Sequence, residues 1–241
     1  MKKKLSIVIP CFNEEKYIKE TVNKVLQISG NYYDICQIII INDGSTDKTK
    51  SILDNLKNNS LIEIINLDLN KGKGFAIQKG FEKVNQEVVL IQDADLEYDP
   101  GDYDKLIKPY VVADADVVFG SRFLGGGDYV RLHYFYHFLA NKILTFICNF
   151  FTNLNMTDME TGYKSFKAEY IKHLKLEQSS FGVEPEITIK LSALKIKFYE
   201  VGISYKGRSY EEGKKIGLKD ALVAIYCITK YGFLKFLNKL T

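Results

Sequence analysis

Cysteine is scarce in this sequence, and its spacing builds no recognisable site. The 241 residues include four cysteines, and no two of them form a Cys-x-x-Cys pair. They are scattered along the chain, at Cys11, Cys36, Cys148 and Cys227. Neither a zinc knuckle nor a disulfide framework is indicated, and the pattern is typical of the reducing cytoplasm. We therefore expect a cytoplasmic protein.

A strong charge of either sign is also missing. Lysine and arginine number 33 against 30 aspartate and glutamate residues, which gives a net charge of +3. Proteins that bind nucleic acid in general carry a clear excess of positive charge, so no nucleic-acid partner is expected here.

Long apolar runs are absent as well. The sequence has no stretch of about 18 uncharged apolar residues, so no membrane-spanning segment is predicted. The basic start, residues 1–4, precedes an apolar run over only 5–10, which is too short for a secretory signal. A content of 46% hydrophobic residues, without repeats or low-complexity linkers, is that of an ordinary globular protein. We expect one domain over residues 1–241.

The first half of the chain alternates strand and helix patterns. Helices are predicted after residue 13, at about 47–58 and at about 73–84. Apolar runs predict buried strands at 5–9, 35–41, 62–67, 87–91 and 116–119. The series favours an α/β fold with a doubly wound, mostly parallel sheet and flanking helices. Ligands bind such sheets beyond the carboxyl ends of the strands.

Two aromatic or amphipathic stretches dominate the second half. Residues 132–155 and 216–241 both place apolar side chains at helical spacing, and the second stretch also carries Lys230, Lys235 and Lys239. Each could be a helix packed on the sheet, or a helix whose apolar face meets a membrane or a lipid acceptor. The pattern alone leaves both interpretations open.

Two carboxylates one residue apart follow the fourth predicted strand. In an extended chain the side chains of Asp93 and Asp95 would project the same way, with Glu97 next in the series. Close carboxylates repel each other unless a cation lies between them, and Mg²⁺ or Mn²⁺ favours such oxygen sites. The segment predicts a metal site that also meets phosphate, although a solvated acidic turn fits the same pattern.

Polar motifs also follow the first three predicted strands. Residues 9–15 contain Glu14, which could bind a ribose or base, or could favour the start of a helix. Asp43 could bind the same ligand, or could form an ordinary turn. The loop 70–74 combines glycines with Lys73, which suits an anion, although turn glycines are common.

The combination of these motifs resembles the inverting family 2 glycosyltransferases, which have the GT-A fold. The branch with the greatest likeness contains dolichol-phosphate mannosyltransferase and bacterial polyprenyl-phosphate glycosyltransferases. The resemblance extends over about residues 5–230. It rests on the segments 9–15, 42–47, 70–74, 93–97, 120–122, 157–164, 181–186 and 205–208, which match in order.

The resemblance implies roles for particular residues. It places a nucleotide-sugar-binding half at 1–122, an acceptor-side half at 123–210 and a C-terminal amphipathic helix at 211–241. The residues implied to hold the nucleotide, together with the loop lysine, are Pro10, Phe12, Glu14, Asp43, Lys73, Asp93 and Ala94. The implied metal ligands are Asp93, Asp95 and, less typically for the family, Glu97, with Mg²⁺ or Mn²⁺ as cofactor.

On the acceptor side, the resemblance implies three arginines. Arg122 matches an arginine that faces phosphate, Arg208 matches one that neutralises phosphate in the active site, and Arg131 aligns with one that grips the acceptor phosphate. The implied acceptor is a polyprenyl phosphate. Many lipid-linked members carry C-terminal membrane helices that are not found here, so we expect peripheral contact with the inner face of the plasma membrane.

The acceptor decides whether a general base is needed. A lipid phosphate is already anionic, whereas a hydroxyl acceptor, as in cell-envelope polysaccharide synthesis, requires a carboxylate to take its proton. Asp158, Glu160 and Glu184 are the candidates, although Glu184 could instead stabilise a helix N-terminus. A nucleotidyltransferase and a non-catalytic nucleotide-sugar or lipid-binding module are the alternative functions.

Overall fold

The computed structural model describes residues 1–125, 134–207 and 218–237. Within these ranges one sheet contains seven strands. They are β1 (Lys3–Cys11), β2 (Tyr33–Asp43), β3 (Ile62–Leu67), β4 (Val88–Ile91), β5 (Val117–Ser121), β6 (Lys164–Lys167) and β7 (Phe198–Gly202). The α-helices are α1 (Ile18–Gln27), α2 (Thr49–Asp54), α3 (Lys73–Phe81), α4 (Tyr103–Val112), α5 (Phe135–Thr152), α6 (Ala168–Ile171), α7 (Val183–Ser192) and α8 (Leu218–Phe236).

The strand order across the sheet is β3-β2-β1-β4-β6-β5-β7. Strand β1 runs parallel to β2 and β4, β2 runs parallel to β3, and β5 runs parallel to β7. Only β6, among the described strands, is antiparallel to its neighbours, β4 and β5. The predicted α/β fold with a mostly parallel sheet is confirmed.

Strand β1 shows why the first apolar run is continuous. Successive side chains of a strand point to opposite faces of the sheet. Leu5 and Ile7 pack with residues of α1 and α4, whereas Val8 packs on the other side with residues of α3 and α7. Helices therefore cover both faces of the sheet, and the buried side chains of β1 are apolar except that of Ser6, which donates a hydrogen bond to Gln37.

Strands β6 and β7 are missing from the sequence-based prediction. Strand β6 reads Lys-Ser-Phe-Lys, which has no apolar run, yet Lys164 is fully buried. Its ammonium donates to the backbone carbonyls of Met159 and Thr161. These hydrogen bonds to carbonyls offset the cost of burying the amino group. The partners lie outside the strand, so the local sequence pattern does not predict it.

Helices α5 and α8 settle part of the question left open by their sequences. Their inner faces form a third core with α7, which includes Leu144, Cys148, Ile189, Ile228 and Tyr231. Their outer faces expose large apolar side chains, which we call the α5–α8 apolar surface. Its members are Phe135, Phe146, Phe150, Leu222, Tyr226, Phe233 and Phe236, all of them at least 59% exposed.

The interpretation as packed helices is therefore confirmed for the inner faces. Contact of the outer faces with a membrane or a lipid stays a prediction. In the parts of the chain that the structure describes, no helix is both long enough and apolar enough to cross a membrane.

Candidate active site

One cavity of about 320 Å³ lies at the carboxyl ends of the central strands. The loops that follow β1, β2, β3, β4 and β5 all contribute to its wall. Of the predicted site residues it gathers Pro10, Phe12, Glu14, Asp43, Lys73, Asp93, Ala94, Asp95, Glu97, Arg122 and Glu184. Residues scattered over 175 positions of sequence thus meet at the edge where a doubly wound sheet binds its ligands.

Asp43 ties the end of β2 to the glycine–lysine loop. One carboxylate oxygen accepts the backbone N–H of Lys71 at 2.9 Å, and the other accepts that of Gly72 at 2.7 Å. The aspartate is 2% exposed, yet it also lines the cavity. Its carboxylate therefore shapes the loop as well as the wall that a ligand would touch.

The same loop is held from its other side. Gly72 has a φ of +96°, and a Cβ on it would lie 2.3 Å from the carbonyl oxygen of Ser179. The backbone N–H of Gly74 donates to that same carbonyl at 2.8 Å. This close approach joins the start of α3 to the segment before α7, and it brings Lys73 next to Glu184.

The acidic segment does not have the geometry expected from the sequence. Strand β4 ends at Ile91, residues 94–97 form a turn, and Leu96 has a φ of +60°. The prediction that the carboxylates project together from an extended chain is therefore wrong. Asp93 and Asp95 line the same cavity because the chain turns there.

The predicted set of three metal ligands is not assembled. No group of three histidine, cysteine or acidic residues converges on a metal position within the described ranges. The tip of Glu97 instead accepts a hydrogen bond from the Tyr205 hydroxyl at 2.7 Å. Magnesium is often bound by one or two carboxylates and completed by water and substrate phosphate, so Asp93 and Asp95 still suit such an ion.

Lys73 joins two acids of the cavity. Its ammonium lies 2.9 Å from Oδ1 of Asp93 and 3.1 Å from Oε1 of Glu184. Burial alone would lower the pKa of Lys73, but the charges of Asp93 and Glu184 outweigh it and raise that pKa well above its ordinary value. Lys73 therefore remains a cation that can face an anionic ligand.

Arg122 is fixed at the cavity wall by Asp158. The guanidinium donates to both oxygens of Asp158, each at 2.7 Å, and the backbone N–H of Arg122 donates at 3.1 Å. Asn141 of α5 adds a fourth hydrogen bond at 3.0 Å. Burial would raise the pKa of Asp158, but Arg122 lowers it below its ordinary value.

This geometry corrects the expectation that Asp158 is a candidate general base. Its side chain is fully buried, is absent from the cavity wall and accepts hydrogen bonds at both oxygens. A carboxylate held in this way orients Arg122 and does not meet an acceptor.

Glu160 and Glu184 form the other acidic part of the wall. Burial, and then the charge of Glu184, raise the pKa of the Glu160 carboxyl to about 8. Near neutral pH its carboxyl group is therefore largely protonated. Of the candidate bases, these two glutamates line the cavity.

Two tyrosines of the wall are missing from the predicted site. The Tyr98 hydroxyl accepts the backbone N–H of Gly162 at 2.8 Å, and its ring stacks on Tyr163 with centroids 4.7 Å apart. The ring of Tyr205 lies 5.2 Å from the Arg122 guanidinium. The position of Tyr98, directly after the acidic segment, is the signal that could have pointed to it.

Two of the predicted arginines, Arg131 and Arg208, lie outside the described residues. Their expected roles in binding the acceptor and neutralising phosphate stay predictions.

Comparison with known proteins identifies relatives that align with most of this chain. A dolichol-phosphate mannosyltransferase of Pyrococcus furiosus is 27% identical over 88% of this chain and 60% of its own length. A dolichyl-phosphate beta-glucosyltransferase of Trichomonas vaginalis is 29% identical over 83% of this chain and 65% of its own. An undecaprenyl-phosphate 4-deoxy-4-formamido-L-arabinose transferase of Photorhabdus laumondii is 26% identical over 98% and 65%. The chain thus spans less than two thirds of these three relatives.

Solved structures share the fold at lower identity. A crystal structure of glucosyl-3-phosphoglycerate synthase of Mycobacterium tuberculosis superposes with a TM-score of 0.71 at 15% identity, over 95% of this chain and 80% of that one. The same enzyme in complex with Mn²⁺, UDP-glucose and phosphoglyceric acid gives 0.69 at 17% identity, over 96% and 80%. At such identities the likeness shows the fold alone.

A family model described as glycosyl transferase family 2 matches residues 6–175. That range exceeds half of the 241 residues, and the structural neighbours are glycosyltransferases of the GT-A fold. The chain therefore belongs to glycosyl transferase family 2 and is a glycosyltransferase with the GT-A fold.

Proposed function

We propose that this chain is a metal-dependent, inverting glycosyltransferase that moves a sugar from a nucleotide sugar to a polyprenyl phosphate. The observation that carries the proposal is the cavity where Asp93 and Asp95 meet Lys73 and Arg122. It combines carboxylates for a divalent ion with cations for a diphosphate. The three relatives described above, named for transfer to dolichyl or undecaprenyl phosphate, support the choice of acceptor.

The donor would lie along the wall from β1 to β4. Pro10, Phe12, Glu14 and Asp43 would contact the nucleoside, because they line the part of the wall contributed by the first two strands. Lys73, Asp93 and the backbone of Ala94 would meet the diphosphate. Residues 1–122 would then form the donor half, 123–210 the acceptor half, and 211–241 the C-terminal amphipathic helix.

Asp93 and Asp95 would hold Mg²⁺ or Mn²⁺, and the ion would supply positive charge beside the departing diphosphate. Arg122 would add a preorganised cation, since Asp158 already fixes its guanidinium. Structures of the mycobacterial synthase with UDP have been solved with Mn²⁺ and with Mg²⁺, which supports a divalent ion without choosing between the two.

The transfer would be a single displacement at the anomeric carbon. An oxygen of the acceptor phosphate forms the new bond to that carbon while the bond to the diphosphate oxygen breaks. The nucleoside diphosphate leaves with the electron pair. Because the attacking oxygen is already ionised, no residue has to remove a proton.

The acceptor lipid would reach the cavity from a membrane surface. The α5–α8 apolar surface provides the exposed aromatic side chains that an interfacial contact requires. Helix α5 also reaches the site, because its Asn141 donates to Asp158, the partner of Arg122. We therefore propose peripheral attachment at the cytoplasmic face of a membrane.

Turnover of nucleotide sugars tests the proposal. Purified protein is assayed with UDP-glucose or GDP-mannose, polyprenyl phosphate in detergent and MnCl₂. The expected product is a lipid-linked sugar that forms with Mn²⁺ or Mg²⁺ and not with EDTA. If nucleoside diphosphate is released at the same rate with and without polyprenyl phosphate, the lipid acceptor is contradicted and the assignment of the donor stands.

A hydroxyl acceptor is the second candidate. The observation that favours it is Glu184, an acid of the cavity wall that could take the proton of an acceptor hydroxyl. Activity with a polysaccharide acceptor that is lost in a Glu184→Gln variant, even at a saturating concentration of the nucleotide sugar, would support this candidate over the lipid phosphate.

A further inference from the structure

Two carboxylate oxygens in the wall of the cavity lack a hydrogen-bond donor. Oε1 of Glu160 and Oε2 of Glu184 are both buried, and no described residue donates to either of them. Glu184, in the first turn of α7, is only 7% exposed. Buried polar atoms are nearly always paired in native proteins, so these two point to donors that a ligand would bring.

Other acids in the same region do not share this property. Glu186 lies two residues further along α7 and accepts the backbone N–H groups of Glu177 and Gln178, each at 2.8 Å. It also pairs with Lys190 at 2.7 Å. Among the described residues, the buried side-chain oxygens and nitrogens without a partner are thus confined to Glu160 and Glu184, which both line the cavity.

We propose that Glu160 and Glu184 form the sugar-binding end of the cavity and select the sugar through its hydroxyl groups. The inference rests on the proposed function, since it assumes a nucleotide-sugar donor. Sugar hydroxyls are the donors that the two orphaned oxygens need. A phosphate would bring only acceptor oxygens and further negative charge.

The position of the pair supports this assignment. Lys73 contacts Asp93 with its ammonium and contacts Glu184 with the same atom. Glu184 is therefore separated from Asp93, and so from the predicted position of the metal and diphosphate, only by the Lys73 ammonium. In a nucleotide sugar the sugar is bonded to that diphosphate, at the end opposite the nucleoside.

The surroundings of Glu160 make the pair chemically unequal. Glu184, Lys164, Arg122 and Asp158 all act on it electrostatically, and burial together with the Glu184 charge raises its pKa. A protonated Glu160 can donate one hydrogen bond and accept another, whereas the ammonium-paired Glu184 only accepts. Such a pair can match a particular arrangement of hydroxyls, which is the basis of strong discrimination between sugars.

Calorimetric titration with paired probes tests the inference. Wild-type protein and the variants Glu160→Leu, Glu184→Gln and Glu186→Gln are titrated with UDP, UDP-glucose, GDP and GDP-mannose in MnCl₂. The Glu160 and Glu184 variants should each lose about tenfold or more in affinity for the preferred nucleotide sugar, the scale of two neutral hydrogen bonds at Glu160 and of one hydrogen bond to a charged group at Glu184. In the Glu160 variant, the affinity for the free nucleoside diphosphate should change by less than about threefold.

Glu186→Gln serves as the matched control, because it makes the same chemical change on the same helix outside the cavity. It should leave the ratio of the two affinities unchanged. Glu160→Leu is the decisive variant, because it removes both hydrogen-bonding atoms of the Glu160 carboxyl, whereas Glu184→Gln also removes a charged partner of Lys73. Wild-type protein should bind deoxy analogues of the sugar more weakly than the sugar itself, and this difference should disappear in Glu160→Leu.

Each remaining outcome would overturn the inference. Equal losses for nucleotide sugar and free diphosphate would assign the glutamates to the diphosphate end. Unchanged affinities would show that they recognise nothing. If wild-type protein binds the nucleoside diphosphate as tightly as the nucleotide sugar, the sugar subsite is wrong and the proposed function stands. If wild-type protein binds no nucleotide at all, the proposed function is contradicted as well.

Discussion

Asp158 shows how one buried carboxylate can position a functional cation. It accepts three hydrogen bonds from Arg122 and one from Asn141. We expect Asp158→Asn to lower the free energy of unfolding by about 3–5 kcal/mol, because it leaves a largely buried guanidinium without its charged partner. Urea denaturation followed by circular dichroism measures this loss.

Asp68→Asn is a suitable control for that experiment, because Asp68 is exposed and lies outside the cavity. A general base would show the opposite pattern. If Asp158→Asn keeps full stability and loses only turnover with a hydroxyl acceptor, the positioning role is wrong.

Asp95 carries a second prediction at this scale. Asp95→Ala should weaken Mn²⁺-dependent nucleotide binding by about tenfold to a hundredfold, since a lost interaction with a charged group costs about 1.5–3 kcal/mol. The melting temperature should stay close to that of the wild type, because Asp95 lies in a turn at the cavity and not in the core. Nucleotide titration in MnCl₂ and in EDTA separates metal-dependent from metal-independent binding. If the variant and the wild type show equal Mn²⁺-dependent binding, Asp95 is not a metal ligand.

Glu160 gives stability an unusual dependence on pH. Its pKa is raised in the folded protein to about 8, from an ordinary value of 4.5. The folded state therefore holds the proton more tightly, so this contribution to stability is full below pH 4.5 and is lost as the pH rises through 8. Melting curves should show wild-type stability falling relative to Glu160→Gln between pH 5 and pH 8. A difference between the two proteins that does not vary with pH would contradict the raised pKa.

The sequence predicts individual site residues better than their partners. Asp93 and Asp95 stand out by spacing alone, and the resemblance to a family identifies Arg122 and Glu184. The contacts of Lys73 with Asp93 and Glu184 join residues far apart in the chain, so no local pattern reveals them. The same holds for Asp158. Its acidic side chain suggests a general base, whereas its burial and its hydrogen bonds to Arg122, which only the folded chain shows, indicate a positioning role.

Among the elements, the start of α3 is fixed by its contact with the segment before α7. A Cβ on Gly74 would lie 2.1 Å from the carbonyl oxygen of Gln178, which belongs to the backbone and cannot rotate away. We expect Gly74→Ala to cost about 1–3 kcal/mol of stability, as overpacking usually does. It should also weaken nucleotide binding, because it pushes Lys73 away from Glu184. Thermal unfolding and nucleotide titration check the two effects.

Gly101→Ala is the matched control for that substitution. There the nearest heavy atom to a new Cβ is Oδ1 of Asp99, a side-chain atom 3.3 Å away. If Gly74→Ala binds nucleotide as well as this control does, the contact between the two segments does not shape the site.

Sequence periodicity recovers the elements whose environment is uniform. Strands β1 to β5 are predicted within a few residues because both faces of most of them are buried and apolar. The predicted helix at 47–58 is shorter in the structure, Thr49–Asp54, since the following residues form turns. Strand β6 escapes prediction because its lysine is buried against backbone carbonyls that only the folded chain provides.

For the whole molecule, the α5–α8 apolar surface is the feature with the clearest consequence. A Phe146→Ser/Tyr226→Ser double variant should bind liposomes at least about tenfold more weakly, since each large apolar side chain contributes about 1.5–3 kcal/mol when buried. Both side chains are exposed, at 74% and 60%, so the fold should be unaffected. Co-sedimentation with vesicles, with and without anionic lipid, measures the effect.

Val112→Ser provides the comparison, because Val112 is 62% exposed on α4 and lies outside this surface. Equal sedimentation of the double variant and this control would assign membrane binding to another part of the chain. If wild-type protein stays in the supernatant, the proposed membrane contact is wrong.

The place of β6 in the sheet also affects how the chain is made. Synthesis releases β1 to β4 first, and β4 borders on β6, which begins more than 70 residues later, at Lys164. At about 5–20 residues per second, the ribosome leaves the apolar edge of β4 open for about 4–15 seconds. An unpaired apolar edge recruits other chains. Slow translation between β4 and β6 should therefore favour aggregation of the nascent protein, whatever the stability of the finished enzyme.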